Sequence, residues 1–154
     1  MRTSLSLLSA GILSALSLSA ATNVALANDI VISGVIDGPL SGGVPKAVEL
    51  YVINDVSDLS EYGIGSANNG GGSDGEEFTF PVQSASAGTY LYIASEIDGF
   101  TSFFGMAPDF DSSAMGINGD DAVELFKGGN VIDTFGDINV DGNGTAWEYL
   151  DGWA

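Results

Sequence analysis

The sequence has no cysteine, no histidine and only three basic residues, set against 21 Asp and Glu. Each shortage excludes something. Without cysteine no disulfide restrains the unfolded chain, so the fold must rest on its core or on a bound metal. Without histidine or cysteine, zinc centres and serine or cysteine triads lose the ligands and the general base they depend on. The side chain that most often carries protons near neutral pH is missing as well. With so few cations, electrostatic binding to nucleic acid is disfavoured, because that affinity rests on neutralising phosphates with Lys and Arg.

What the chain does contain begins with a basic start. Met1-Arg2 is followed by an apolar, serine-studded run from Leu5 to Leu18 and by Ala25-Leu26-Ala27. This order of basic, apolar and A-x-A segments predicts a secretory signal over residues 1–27, and hence a secreted, extracellular or periplasmic protein. A membrane anchor fits less well, since the run is shorter than the roughly 18 to 20 apolar residues of a spanning helix and is broken by serines. Removing 27 of the 154 residues leaves 127, enough for one domain with one core, over residues 28–154. Arg2 leaves with the signal, so two lysines face 21 carboxylates, a net charge of −19. Such a surface favours solubility, and a divalent cation would offset part of its self-repulsion.

Period-two alternation punctuated by glycine dominates the mature chain. Ile30 to Val35 is a β-branched run ended by Asp37-Gly38-Pro39, and Ala47 to Ile53 alternates Val48, Leu50 and Val52 against Glu49 and Tyr51. Glu77 to Phe80, Tyr90 to Ala94 and a hairpin of Ala122–Phe126 with Val131–Phe135 across Lys127-Gly128-Gly129-Asn130 follow. A last strand is expected near Trp147 to Tyr149, with Trp147 and Trp153 as core aromatics. Ser95 to Gly105 carries Ile97, Phe100, Phe103 and Phe104 at helical spacing behind a Ser95 cap, which predicts one short helix or turn with core aromatics. Ser66 to Gly75 reads as a mobile polar loop, and it lacks the lysine of a phosphate loop. The fold class expected is all-β, an antiparallel β-sandwich. Ala47-Val48-Glu49-Leu50-Tyr51 and Ala122-Val123-Glu124-Leu125-Phe126 are near copies, read as strands in equivalent places with outward, solvated glutamates.

Asp137-Ile138-Asn139-Val140-Asp141-Gly142-Asn143-Gly144-Thr145-Ala146-Trp147-Glu148 meets the calcium-loop spacing D-x-[DN]-x-[DN]-G-x5-E at every fixed position. Asp137, Asn139, Asp141 and Glu148 would then offer the oxygen ligands that a hard cation such as calcium needs. Two readings stand. The loop follows a strand-like segment rather than a helix, and Gly144 occupies the position of the apolar anchor, so an Asp/Asn/Gly hairpin loop accounts for the same residues. Paired carboxylates at Asp120-Asp121, Glu76-Glu77 and Asp109 with Asp111 invite a hydrolytic reading. Adjacent strand residues point to opposite faces, however, so such pairs do not by themselves share a site.

The ordered phrases A-V-E-L-Y (Ala47 to Tyr51), D-L-S-x-Y (Asp58 to Tyr62), E-F-T-F-P (Glu77 to Pro81), N-G-D-D-A-V-E-L-F (Asn118 to Phe126) and V-I-D-T-F-G (Val131 to Gly136) resemble the lamin-tail domain. The resemblance covers nearly all of residues 29–154 and implies an immunoglobulin-like β-sandwich. It also implies membership of an exported multidomain protein, with Gly144 to Tyr149 leading into an extracellular nuclease domain of the endonuclease/exonuclease/phosphatase type. On that reading the chain is a fragment whose partner is a C-terminal catalytic domain of the same longer protein. The catalytic histidines of such nucleases are absent here, so this segment is expected to be non-catalytic. The alternative from another class is a calcium-dependent carbohydrate- or surface-binding module.

Overall fold

The computed structural model describes residues 28–154; the expected signal over residues 1–27 lies outside the described residues. In chain order the elements are β1 (Ile30–Leu40), β2 (Val44–Val52), β3 (Tyr62–Ala67), β4 (Phe78–Thr79), β5 (Tyr90–Ala94), α1 (Ile97–Phe104), β6 (Phe110–Asp111), β7 (Ala122–Lys127), β8 (Asn130–Phe135) and β9 (Gly152–Trp153). They build two sheets, of order β6-β5-β2-β1-β9 and β4-β3-β7-β8. Every pairing is antiparallel except β5 with β6, which run parallel.

The two sheets share one core, because the alternation of each central strand turns its aliphatic side inward. Val48, Leu50 and Val52 of β2 and Leu91 and Ile93 of β5 meet Ile64 of β3 and Val123 and Leu125 of β7. Each such side chain, fully buried, contributes roughly 1.5–3 kcal/mol. A register shift between Ile32 and Gly34 resets the face of β1, so that Ile32 and Val35 both reach this core although strict alternation would separate them. β1 of the first sheet is tied to β8 of the second through a side chain, Ile32 N–H donating to the Asp133 carboxylate at 2.8 Å. In the phrase D-L-S-x-Y, Asp58 caps a short 3-10 turn (Leu59–Glu61) by accepting from Ser60 N–H at 2.9 Å.

Several expectations need correction. β1 does not stop before Asp37 but runs to Leu40, folding back on β2 in a long hairpin. Trp147 to Tyr149 is not a strand; a turn ending at Trp147 gives way to irregular backbone, and the last strand is β9. Ser66 to Gly75 is no loose loop. Ser66 and Ala67 end β3, an interior strand of the second sheet, and the remainder lies over that sheet's outer face. Glu124 is consequently buried rather than solvated, facing outward as expected but roofed by this loop, with Ser73 Oγ donating to its carboxylate.

The helix is where periodicity put it, though Glu96, not Ser95, caps it by accepting from Gly99 N–H at 2.6 Å. It lies on the outer face of the first sheet, burying Phe100 against Ile36, Ala47, Ala94 and Tyr92. Phe103 and Phe104, expected in the core, are exposed, as is Trp153 at 77%.

Candidate functional site

Three arrangements could carry function: the 137–148 loop, the polar network beneath it, and a groove on the far face of the first sheet. In the loop, the carboxylates turn back onto their own backbone. Asp137 accepts from Asn139 N–H at 2.9 Å, Asp141 from Asn143 N–H at 3.0 Å, and Glu148 from Gly144 N–H at 3.0 Å. Asn139 is exposed and enters this pattern through its backbone. Asp137, Asp141 and Glu148 form no common cage, and among the described residues no group of three or more acids is placed to hold a metal ion.

The glycine at loop position six has another use. Gly142 is buried, donates to Asp120 C=O at 3.0 Å and keeps a negative φ, unlike Gly144 at +73°. A Cβ there would lie 2.6 Å from the Trp147 ring, so the glycine admits the indole, which stacks edge-on against Phe135 with centroids 6.1 Å apart. The spacing of the motif thus serves side-chain packing here.

Below the loop lies a polar network that the sequence did not announce. Lys46 Nζ reaches the buried Asp37 at 2.7 Å, Ile117 C=O at 2.6 Å and Asn118 Oδ1 at 3.0 Å. Asp37 also accepts from Gly119 N–H at 3.1 Å. Asp121, fully buried, accepts from Asn69 N–H at 2.9 Å and Asn118 N–H at 2.7 Å, while its own carbonyl takes the Tyr149 hydroxyl at 2.9 Å. Burial, with the nearby Asp121, Asp37 and Asp120 charges, holds the Tyr149 phenol above its ordinary value. Asp120 is raised too, first by burial and then by Asp121, and lines a recess of about 220 Å³ with Asn143 and Glu148.

The adjacent carboxylates do not act as pairs. Asp120 accepts from Asn143 Nδ2 at 3.1 Å, while Asp121 holds backbone amides on the other side. Glu76 takes the Thr79 hydroxyl and Glu77 the Ser66 hydroxyl and N–H. Asp109 accepts from Tyr92 N–H at 2.9 Å.

The groove, of about 650 Å³, runs between α1 and the β1–β9 edge. Its floor is the outer face of β1 and β2, with Ile36, Ala47 and Glu49; its walls are Tyr92, Phe104 and Trp153. Ring-to-ring contacts fix the α1 wall, Phe100 and Phe104 centroids lying 4.6 Å apart and Phe103 and Phe104 5.0 Å apart. Ser33 Oγ donates to Glu49 Oε1 at 2.9 Å. Burial first, and then the adjoining Glu49 carboxylate, push the Tyr92 phenol up to about 12. Sequence reasoning missed this site because it read the helix aromatics as core, although their excess over the one face that α1 buries was a visible signal.

The fold and these features define a two-sheet β domain carrying one short helix and an open aromatic groove. No protein-family model matches the sequence, and no curated protein matches it significantly. Among the described residues no helix is long and apolar enough to cross a membrane.

Proposed function

We propose that residues 28–154 are a non-catalytic, exported accessory module, an immunoglobulin-like β-sandwich of the lamin-tail type, acting at the N-terminus of a longer extracellular nuclease. The observation that carries this reading is the open aromatic groove, a surface suited to association, in a chain where Asp120, Asp121, Glu76, Glu77 and Asp109 are occupied as acceptors for its own N–H and O–H groups. A general acid or base needs a free, tuned group within reach of substrate, and carboxylates spent on holding turns are poor candidates. The lamin-tail resemblance gains support from its two near-copies, since A-V-E-L-Y forms the interior strand β2 of one sheet and A-V-E-L-F the interior strand β7 of the other. Calcium at Asp137, Asn139, Asp141 and Glu148 would require these side chains to leave the turns they now cap.

The carbohydrate-binding alternative is favoured by one observation, the exposed indole of Trp153 on the wall of the groove. Deleting residues 28–154 from the longer protein tests the accessory reading: nuclease activity, secretion or surface attachment should fall. A deletion protein that matches the parent in all three sinks it.

A further inference from the structure

The groove differs from the rest of this surface in charge and in polarity. Phe103, Phe104, Met106 and Trp153 remain 39–77% exposed around it. Contiguous apolar surface of this kind on a soluble domain marks an interaction site, and the volume of about 650 Å³ is that of a side-chain or small-ligand pocket. At its floor Glu49 takes a hydrogen bond from Ser33 and, among the described residues, has no cation beside it. The two lysines of the described residues are committed elsewhere, Lys46 to Asp37 and Lys127 to Asp29. Glu49 is therefore an uncompensated carboxylate set among aromatic rings.

The chemistry of an occupant follows by charge and by hydrogen-bond count. A second copy of the chain, an anionic membrane and a nucleic acid all carry negative charge toward a domain with a formal net charge of −19, and are repelled. A glycan would bury many hydroxyls against a lining whose polar side chains are Ser33, Glu49 and Tyr92, leaving most of them unpaired. A cation attached to an apolar side chain meets neither objection. It finds a carboxylate, ring faces for cation–π contact and an apolar wall.

Resting on the accessory-module reading, we propose that the groove binds a basic, amphipathic peptide segment of a partner protein, with an aliphatic or aromatic side chain against Phe104 and Trp153 and a Lys or Arg against Glu49.

Isothermal titration of residues 28–154 with a synthetic Lys/Leu peptide, its Glu/Leu counterpart and a neutral oligosaccharide provides the test. The Lys/Leu peptide should bind, and raised salt should weaken it. Phe104→Ser and Trp153→Ser, both at exposed side chains and checked for an unchanged thermal melt, should each weaken it by about tenfold, the loss expected of a central aromatic anchor. Glu49→Gln should reduce affinity and flatten the salt dependence, while Glu61→Gln, at an exposed residue away from the groove, should leave both unchanged. Equal binding by all variants would mean diffuse surface charge and overturn the proposal. So would no binding, or oligosaccharide binding lost in Trp153→Ser. If the peptide fails while deletion of the domain still impairs the longer protein, the accessory reading stands and only the partner chemistry falls.

Discussion

Asp121 and Asp120 are neighbours in sequence with different fates. The pairing of Asp121 is complete, with Asn69 and Asn118 N–H groups on its two oxygens and no exposure to water. Asp121→Ala would strand both amides inside the protein, and at about 1–3 kcal/mol for each buried donor left unpaired it should lower the unfolding free energy by roughly 2–6 kcal/mol. Urea denaturation measures this; a loss of a few tenths would show that water replaces the carboxylate. Tyr92 supplies a pH signature. Its phenol ionises near 10.0 in the unfolded chain and at about 12 in the fold, so the neutral form is the one the fold favours. Its contribution is whole below the unfolded value and disappears as pH rises through about 12. Tyr92→Phe should therefore have a shallower alkaline fall in melting temperature than the parent, and parallel curves would remove Tyr92 from the account. At this scale the sequence was least legible. The chemistry of Asp137, Asp141 and Glu148 was plain from their letters, but whether oxygens face a common centre or their own backbone depends on the path of the loop backbone, which spacing does not encode.

Strands announced themselves in proportion to how far one face alone met the core. β2, β5, β7 and β8 lie within a residue or a few of where alternation put them, because Val48, Leu50, Leu91, Ile93, Val123 and Leu125 repeat at period two. β3 was invisible for a physical reason. Its outer positions Gly63 and Gly65 are glycine because the 70–77 segment lies directly on them: a Cβ on Gly65 would run into the Gly75 carbonyl, and one on Gly63 into the Glu76 side chain. These two glycines are what allow the loop to roof the sheet and bury Glu124. Gly65→Ala should lift this roof, costing about 1–3 kcal/mol as an overpacked site. Amide exchange should quicken over residues 70–77 and at Ser66, whose N–H is held by Glu77 at 2.8 Å. Unchanged exchange there would mean the segment shifts aside at no cost. β6 and β9, two residues each, had too few side chains for any period, and only the closed sheet reveals them.

For the molecule as a whole the governing quantity is charge. Both described lysines are held in ion pairs, Lys127 lying 2.9 Å from Asp29 and 4.8 Å from the centre of the Tyr62 ring. Lys127 holds the Asp29 carboxyl below its ordinary value, so this pair contributes stability above the usual carboxylate range and loses it on acidification through the lowered value. The other carboxylates repel one another through a low-salt solvent, and screening that repulsion favours the compact state. Melting temperature should consequently climb with sodium chloride. Calcium separates the two readings of the 137–148 loop, since diffuse screening depends on ionic strength alone whereas a site that binds only the folded chain adds RT ln(1 + [L]/Kd). If the loop carboxylates stay on their own amides, calcium chloride and sodium chloride matched in ionic strength should raise the midpoint by nearly the same amount, and Asp141→Ala should not alter the difference. A calcium increment that saturates at millimolar concentration and vanishes in Asp141→Ala would instead mean that Asp137, Asn139, Asp141 and Glu148 leave their turns to surround a cation, with the loop refolding as it binds.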